Sequence, residues 1–73
     1  MGMNREKVIE LMEQYKNDGF NIIDLELKNG SVIVVYTDKY KVTYYTDFIE
    51  IYCKGDEGLI LRFSYDLIKS ISI

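Results

Sequence analysis

Two apolar-alternating runs, joined by Asn29-Gly30, constrain this chain more than any other feature. A two-residue hairpin turn of type I′ needs positive φ at both central positions, and Asn-Gly is the pair that tolerates this best. Residues 22–37 are therefore expected to form a β-hairpin. A two-residue loop sets Lys28 opposite Ser31, Leu27 opposite Val32, Leu25 opposite Val34 and Ile23 opposite Tyr36. Side chains alternate with period two, so these three apolar pairs are expected on one face. The other face then carries Asp24, Glu26 and Lys28 from the first strand, and Ile33 and Val35 from the second. A second strand that is apolar on both sides calls for cover on each.

The hairpin belongs to a chain of 73 residues, which is one domain near the lower size limit for an unassisted core. Nearly half the residues are apolar, mostly Ile, Leu, Val, Tyr and Phe, and no Ala, Pro or Trp occurs. That much core material argues for a folded chain and against disorder. The bias toward Ile, Tyr, Lys, Asn, Asp and Glu resembles what an AT-rich genome encodes, which points to a low-GC bacterium or a phage.

The formal charge is −3 with both signs interspersed, so neither a basic nucleic-acid arm nor an acidic tail is present. RNA as a partner is disfavoured by this balance. No apolar run reaches the length of a membrane span, and the first residues lack the apolar core of a signal peptide. The expected setting is the cytoplasm, away from membranes.

In chain order, the spacing of Val8, Leu11, Met12 and Tyr15, widened by Ile9, predicts an amphipathic helix over residues 4–18. Asn4 is a suitable N-cap, and Gly19 supplies the left-handed residue that ends the helix. Strands are expected at about 20–28, 31–37, 40–45, 48–54, 59–65 and 69–73. Whether 31–45 is a hairpin or one long bent strand stays open. Ile49, Ile51 and Cys53 share one side of their strand. Leu59, Leu61, Phe63 and Tyr65 face one way in the next, and Ile71 and Ile73 are expected inward in the last. Gly55-Asp56-Glu57-Gly58 reads as a loop of turn formers. The fold class is α+β: an N-terminal helix before a strongly curled antiparallel meander of five or six strands. Such a meander closes into a small barrel or stays an open sheet packed on the helix.

Chemistry is harder to find. The chain has no His, which removes the usual general base and metal ligand together. The lone Cys53 lies mid-strand beside apolar neighbours, where an inert thiol is expected, and no disulfide can form within the chain. Asp24 with Glu26, and Asp56 with Glu57, are read as solvated surface pairs; the second sits in a loop too short for a calcium loop. No catalytic, cofactor-binding or metal-binding residue is assigned, and the chain is read as a non-enzyme.

The seven tyrosines are the least ordinary feature. Tyrosine suits interfaces because a rigid apolar ring carries a polar tip. Tyr40, Tyr44, Tyr45 and Tyr52 are the candidate partner-binding residues, with alternation sending Tyr44 and Tyr45 to opposite faces. The expected partner is another protein or a second copy, in a small interaction domain suited to a phage or mobile-element regulator.

Three stretches resemble the Sm-like family of small SH3-like barrels. Leu25-Glu26-Leu27-Lys28-Asn29-Gly30 is similar to the family's first strand and turn, and Tyr45-Thr46-Asp47-Phe48-Ile49-Glu50 to its Asp-containing turn. Leu61-Arg62-Phe63-Ser64-Tyr65, running into Ile68-Lys69-Ser70-Ile71-Ser72-Ile73, is similar to its last two strands. The resemblance implies an alternative function, a nucleic-acid-binding barrel that assembles into rings. It departs from the family where Glu50 replaces the base-binding Asn, where 31–45 lacks a glycine at the bend, and where no Arg-Gly pair precedes the last strand. No RNA-binding residue is carried over.

Overall fold

The computed structural model describes residues 2–54 and 58–73, and its first element, α1 (Arg5–Asn17), begins at the expected cap. Asn4 is extended, and its Oδ1 accepts the Lys7 N–H at 2.8 Å. At the other end Gly19 takes φ +89°, which lets its N–H reach the Lys16 carbonyl while the Phe20 N–H reaches that of Tyr15. This is a Schellman closure, and it is completed by the edge-on contact of the Tyr15 and Phe20 rings at 6.2 Å. Val8 and Met12 are buried, with Leu11 and Tyr15 packed beside them.

Among the described residues six antiparallel strands follow: β1 (Ile22–Leu27), β2 (Val32–Tyr36), β3 (Tyr40–Tyr44), β4 (Phe48–Cys53), β5 (Leu59–Ser64) and β6 (Ile68–Ser72). They form two three-stranded sheets, ordered β2-β1-β6 and β3-β4-β5. The successive strands β2 and β3 do not pair with each other. Residues 31–45 thus turn a corner at Thr37–Lys39 instead of folding back as a hairpin. The corner is held by the Thr37 N–H on the Asn21 carbonyl, the Thr37 hydroxyl on the Phe20 carbonyl, and the Lys39 N–H on the Tyr36 carbonyl. A 3-10 turn, Tyr65–Leu67, leads into β6. Of the loop expected at 55–58, residues 55–57 lie outside the described residues.

The β1–β2 hairpin differs from expectation by one residue. Its pairs are Ile23 with Val35, Leu25 with Ile33 and Glu26 with Val32. The loop is three residues long, Lys28-Asn29-Gly30, closed by the Gly30 N–H on the Leu27 carbonyl and the Leu27 N–H on that of Ser31. Only this longer loop, with Gly30 at φ +89°, fits the observed register. The Asn29 side chain also accepts the Ser31 N–H at 2.9 Å, an Asx turn inside the loop. A one-residue slip exchanges the faces of a strand. Val35 is therefore buried and Ile33 packs on the core, while Val32, Val34 and Tyr36, expected inside with Leu27, Leu25 and Ile23, face outward.

A second departure lies in β6. Glu26 pairs with Ser70 but Leu27 pairs with Ile68, so Lys69 is the extra residue of a β-bulge. The bulge puts Ile68 and Ile71, three apart, on the same buried side. Ile73, expected inward, is 56% exposed.

The core gathers Val8 and Met12 from α1, Ile23 and Leu25 from β1, Val35 from β2, Ile49, Ile51 and Cys53 from β4, Tyr65, and Ile68 and Ile71 from β6. Both sheets and the helix therefore share one apolar interior.

Candidate functional site

The sequence singled out four tyrosines, and the structure divides them between two faces of one sheet. Tyr40 and Tyr44 pair with Cys53 and Ile49, so they lie on the inner face and pack against the core. Burial, reinforced by the charge of Glu13 and by Tyr65, pushes the Tyr44 hydroxyl far above its ordinary pKa. Tyr52, opposite Lys41 and Ile60, is half-buried on the outer face. Tyr45 is exposed just past β3 and stacks on Phe48, ring centroids 4.8 Å apart. The four do not form one surface.

The outer face of the other sheet is more unusual. Alternation with Asp24 and Glu26 makes β1 amphipathic there, but the β2 side is apolar throughout. Ile22 (49% exposed), Val32 (55%), Val34 (38%) and Tyr36 (38%) lie together, with Ile22 directly across from Tyr36. Tyr36 is braced by an edge-on contact with the Tyr40 ring at 5.4 Å, and the Lys39 ammonium sits 5.7 Å from its centroid. Tyr40 thus supports this surface from within. On the β6 side the same face turns polar: Ser70 donates to Glu26, and Lys69 lies 3.7 Å from the same carboxylate.

Sequence reading placed Val32, Val34 and Tyr36 on the inner face because it took Asn29-Gly30 as a two-residue turn. A three-residue loop with glycine in the left-handed position carries the same dipeptide, so the dipeptide alone could not choose between them.

Two hollows accompany these faces. A cleft of about 70 Å³ lies between the end of α1 and the β2–β3 corner, with Met12, Glu13, Val35, Thr37 and Tyr44 in its wall. An open depression near Asn4, Lys28, Asp47 and Asp66 lies at the base of the helix. The first is too small for a metabolite-sized ligand and the second is too shallow to enclose one.

Cys53 is buried among Ile49 and Ile51, where a thiol behaves as a small apolar group. Among the described residues, no group of three or more His, Cys, Asp or Glu side chains could hold a metal ion, and no helix is long and apolar enough to cross a membrane.

The fold and surface define an α+β domain in which one helix and two three-stranded antiparallel sheets leave an apolar strip exposed on one sheet. No family model, curated protein or solved structure matches the chain.

Proposed function

We propose that this is a small non-enzymatic interaction domain, acting by association with another protein or with its own copies. The observation that carries the reading is the contiguous apolar strip of Ile22, Val32, Val34 and Tyr36 on the outer face of β1 and β2. A hairpin with one buried face ordinarily turns polar residues outward, as β1 does with Asp24 and Glu26. β2 instead exposes two valines and a tyrosine, which gain by being covered. Of the four tyrosines first considered, Tyr40 braces Tyr36 of the strip, while Tyr44, Tyr45 and Tyr52 belong to the other sheet and its edge. The pair Val32→Thr and Tyr36→Thr keeps β-forming residues in place while removing apolar surface. Its expected result is an unchanged melting transition with loss of association. Association that persists unaltered would count against the reading.

One observation favours a second reading. β2 and β3 flank a corner and join different sheets, as the two halves of a single bent strand would in a small SH3-like barrel. This supports an Sm-like, ring-forming nucleic-acid binder as the alternative. Such a protein binds short single-stranded RNA with an affinity that weakens as salt rises. No binding at low salt removes this alternative.

A further inference from the structure

Resting on the interaction reading, we infer that the partner is a second copy of this chain, docked through antiparallel pairing of β2 with its own twin across a two-fold axis. The argument begins with hydrogen-bond parity. The bonds joining Leu27 to Ser31 and Asn21 to Thr37 fix which β2 residues point their main-chain groups at β1: Ser31, Ile33, Val35 and Thr37. Val32 and Val34 consequently aim both of theirs away from β1, at the free edge, as Tyr36 does its N–H; the Tyr36 carbonyl is already bonded to the Lys39 N–H in the corner. Among the described residues β1 is the sole strand partner of β2.

Comparison of the four edge strands isolates this one. β3 carries Lys41, β5 carries Arg62 (held 2.8 Å from Glu50), and β6 carries Lys69 at a bulge. Charges and bulges of this kind keep sheet edges from pairing with other chains. β2, Val-Ile-Val-Val-Tyr, has neither charge, proline nor bulge. Its edge is the one left open to strand addition.

The occupant follows from self-complementarity. With Val34 opposite Val34 of the second copy, the two residues exchange both main-chain hydrogen bonds, and each Tyr36 N–H reaches the Val32 carbonyl across the axis. Val32 and Tyr36 side chains become cross-strand neighbours, a favourable aromatic and β-branched pair. Charge bears on the direction. Lys28, in the loop four residues before β2, and Asp38 and Lys39, in the corner after it, are all exposed. Antiparallel pairing sets the loop of each copy against the corner of the other, where Lys28 meets Asp38 as well as Lys39. Parallel pairing would instead set Lys28 against Lys28. A single strand edge buries less than the roughly 1,200 Å² of a standard interface, so the dimer is expected to dissociate on dilution.

The test is sedimentation equilibrium of the full chain across a dilution series, for the wild type and three variants. Val34→Pro removes an N–H that the β1–β2 ladder does not use, so the fold is retained while the edge is blocked. Val34→Lys places a charge on the same edge and serves if the proline variant unfolds. Ile60→Lys, on the edge strand of the other sheet, is the control. The expected result is wild-type and Ile60→Lys mass rising toward twice 8.6 kDa with concentration, while both Val34 variants stay monomeric and folded. A wild type that remains monomeric throughout overturns the dimer and leaves association with a different protein as the surviving form of the interaction reading. Self-association that survives both Val34 substitutions overturns the edge while sustaining that reading.

Discussion

The buried hydroxyl of Tyr65 donates to the main-chain carbonyl of Tyr45, tying the 3-10 turn before β6 to the end of β3. Arg5, in the first turn of α1, donates from Nε to the same carbonyl at 3.1 Å and from Nη2 to that of Tyr44 at 3.2 Å. The helix start, one strand of the second sheet and the entry to the last strand of the first are thereby fastened at one point.

Tyr65→Phe removes one of these donors and leaves Arg5 on the shared acceptor. The expected loss is about 1 kcal/mol in urea unfolding, with an unchanged denaturant slope. Combined with Arg5→Ala, the two losses are expected to depart from additivity, because both residues serve one carbonyl.

Alkaline pH is expected to destabilise the fold through its buried tyrosines. Burial raises the folded-state pKa of Tyr44 above its ordinary 10.0, and burial also raises that of Tyr65, against a lowering by Arg5. Below the unfolded value both states hold the proton, and the contribution to stability is complete. Above it the unfolded chain ionises first, so stability falls as pH rises from about 10 toward the folded values. Melting temperature measured from pH 7 to 11 checks this, and Tyr44→Phe is expected to flatten the alkaline decline.

Gly30→Ala forces a side chain into the left-handed region at φ +89°. No neighbouring atom crowds the position, so the cost is conformational, about 1–2 kcal/mol by thermal or chemical unfolding. The hairpin register is expected to survive, since Leu25 and Ile23 still require the core.

Cys53 is expected to resist thiol reagents in the native state and to react fully in denaturant. Cys53→Ser, which buries a hydroxyl among Ile49 and Ile51, should lose about 1–3 kcal/mol in chemical unfolding if it finds no partner there.

Elements with strong local signals were legible in the sequence. Asn4, the Val8–Met12 spacing and Gly19 each act within a turn of helix, so α1 could be placed from its own residues. The alternation of Ile49, Ile51 and Cys53 likewise gave the buried face of β4. What failed depended on distant partners. The register of β2 rests on a choice of loop length that Leu25 and Val35 settle by packing together in the core. The inward turn of Ile68 depends on a bulge that only the pairing of β6 with β1 creates. An apolar outer face on β2 was legible, because the strand is apolar on both sides, but it was assigned to Ile33 and Val35, and the register gives it to Val32, Val34 and Tyr36 instead. The tyrosines were conspicuous by number, but their division between core and surface is a property of the β3–β4 pairing.

The central claim, that the outer edge of β2 is where this domain meets its own copy, is tested most directly by amide hydrogen exchange at Val34 as a function of protein concentration. The account predicts a Val34 amide that exchanges freely in dilute solution and becomes protected as concentration rises, while the neighbouring Val35 amide, bonded within the sheet, keeps the same protection throughout. A Val34 amide whose exchange is independent of concentration would contradict it.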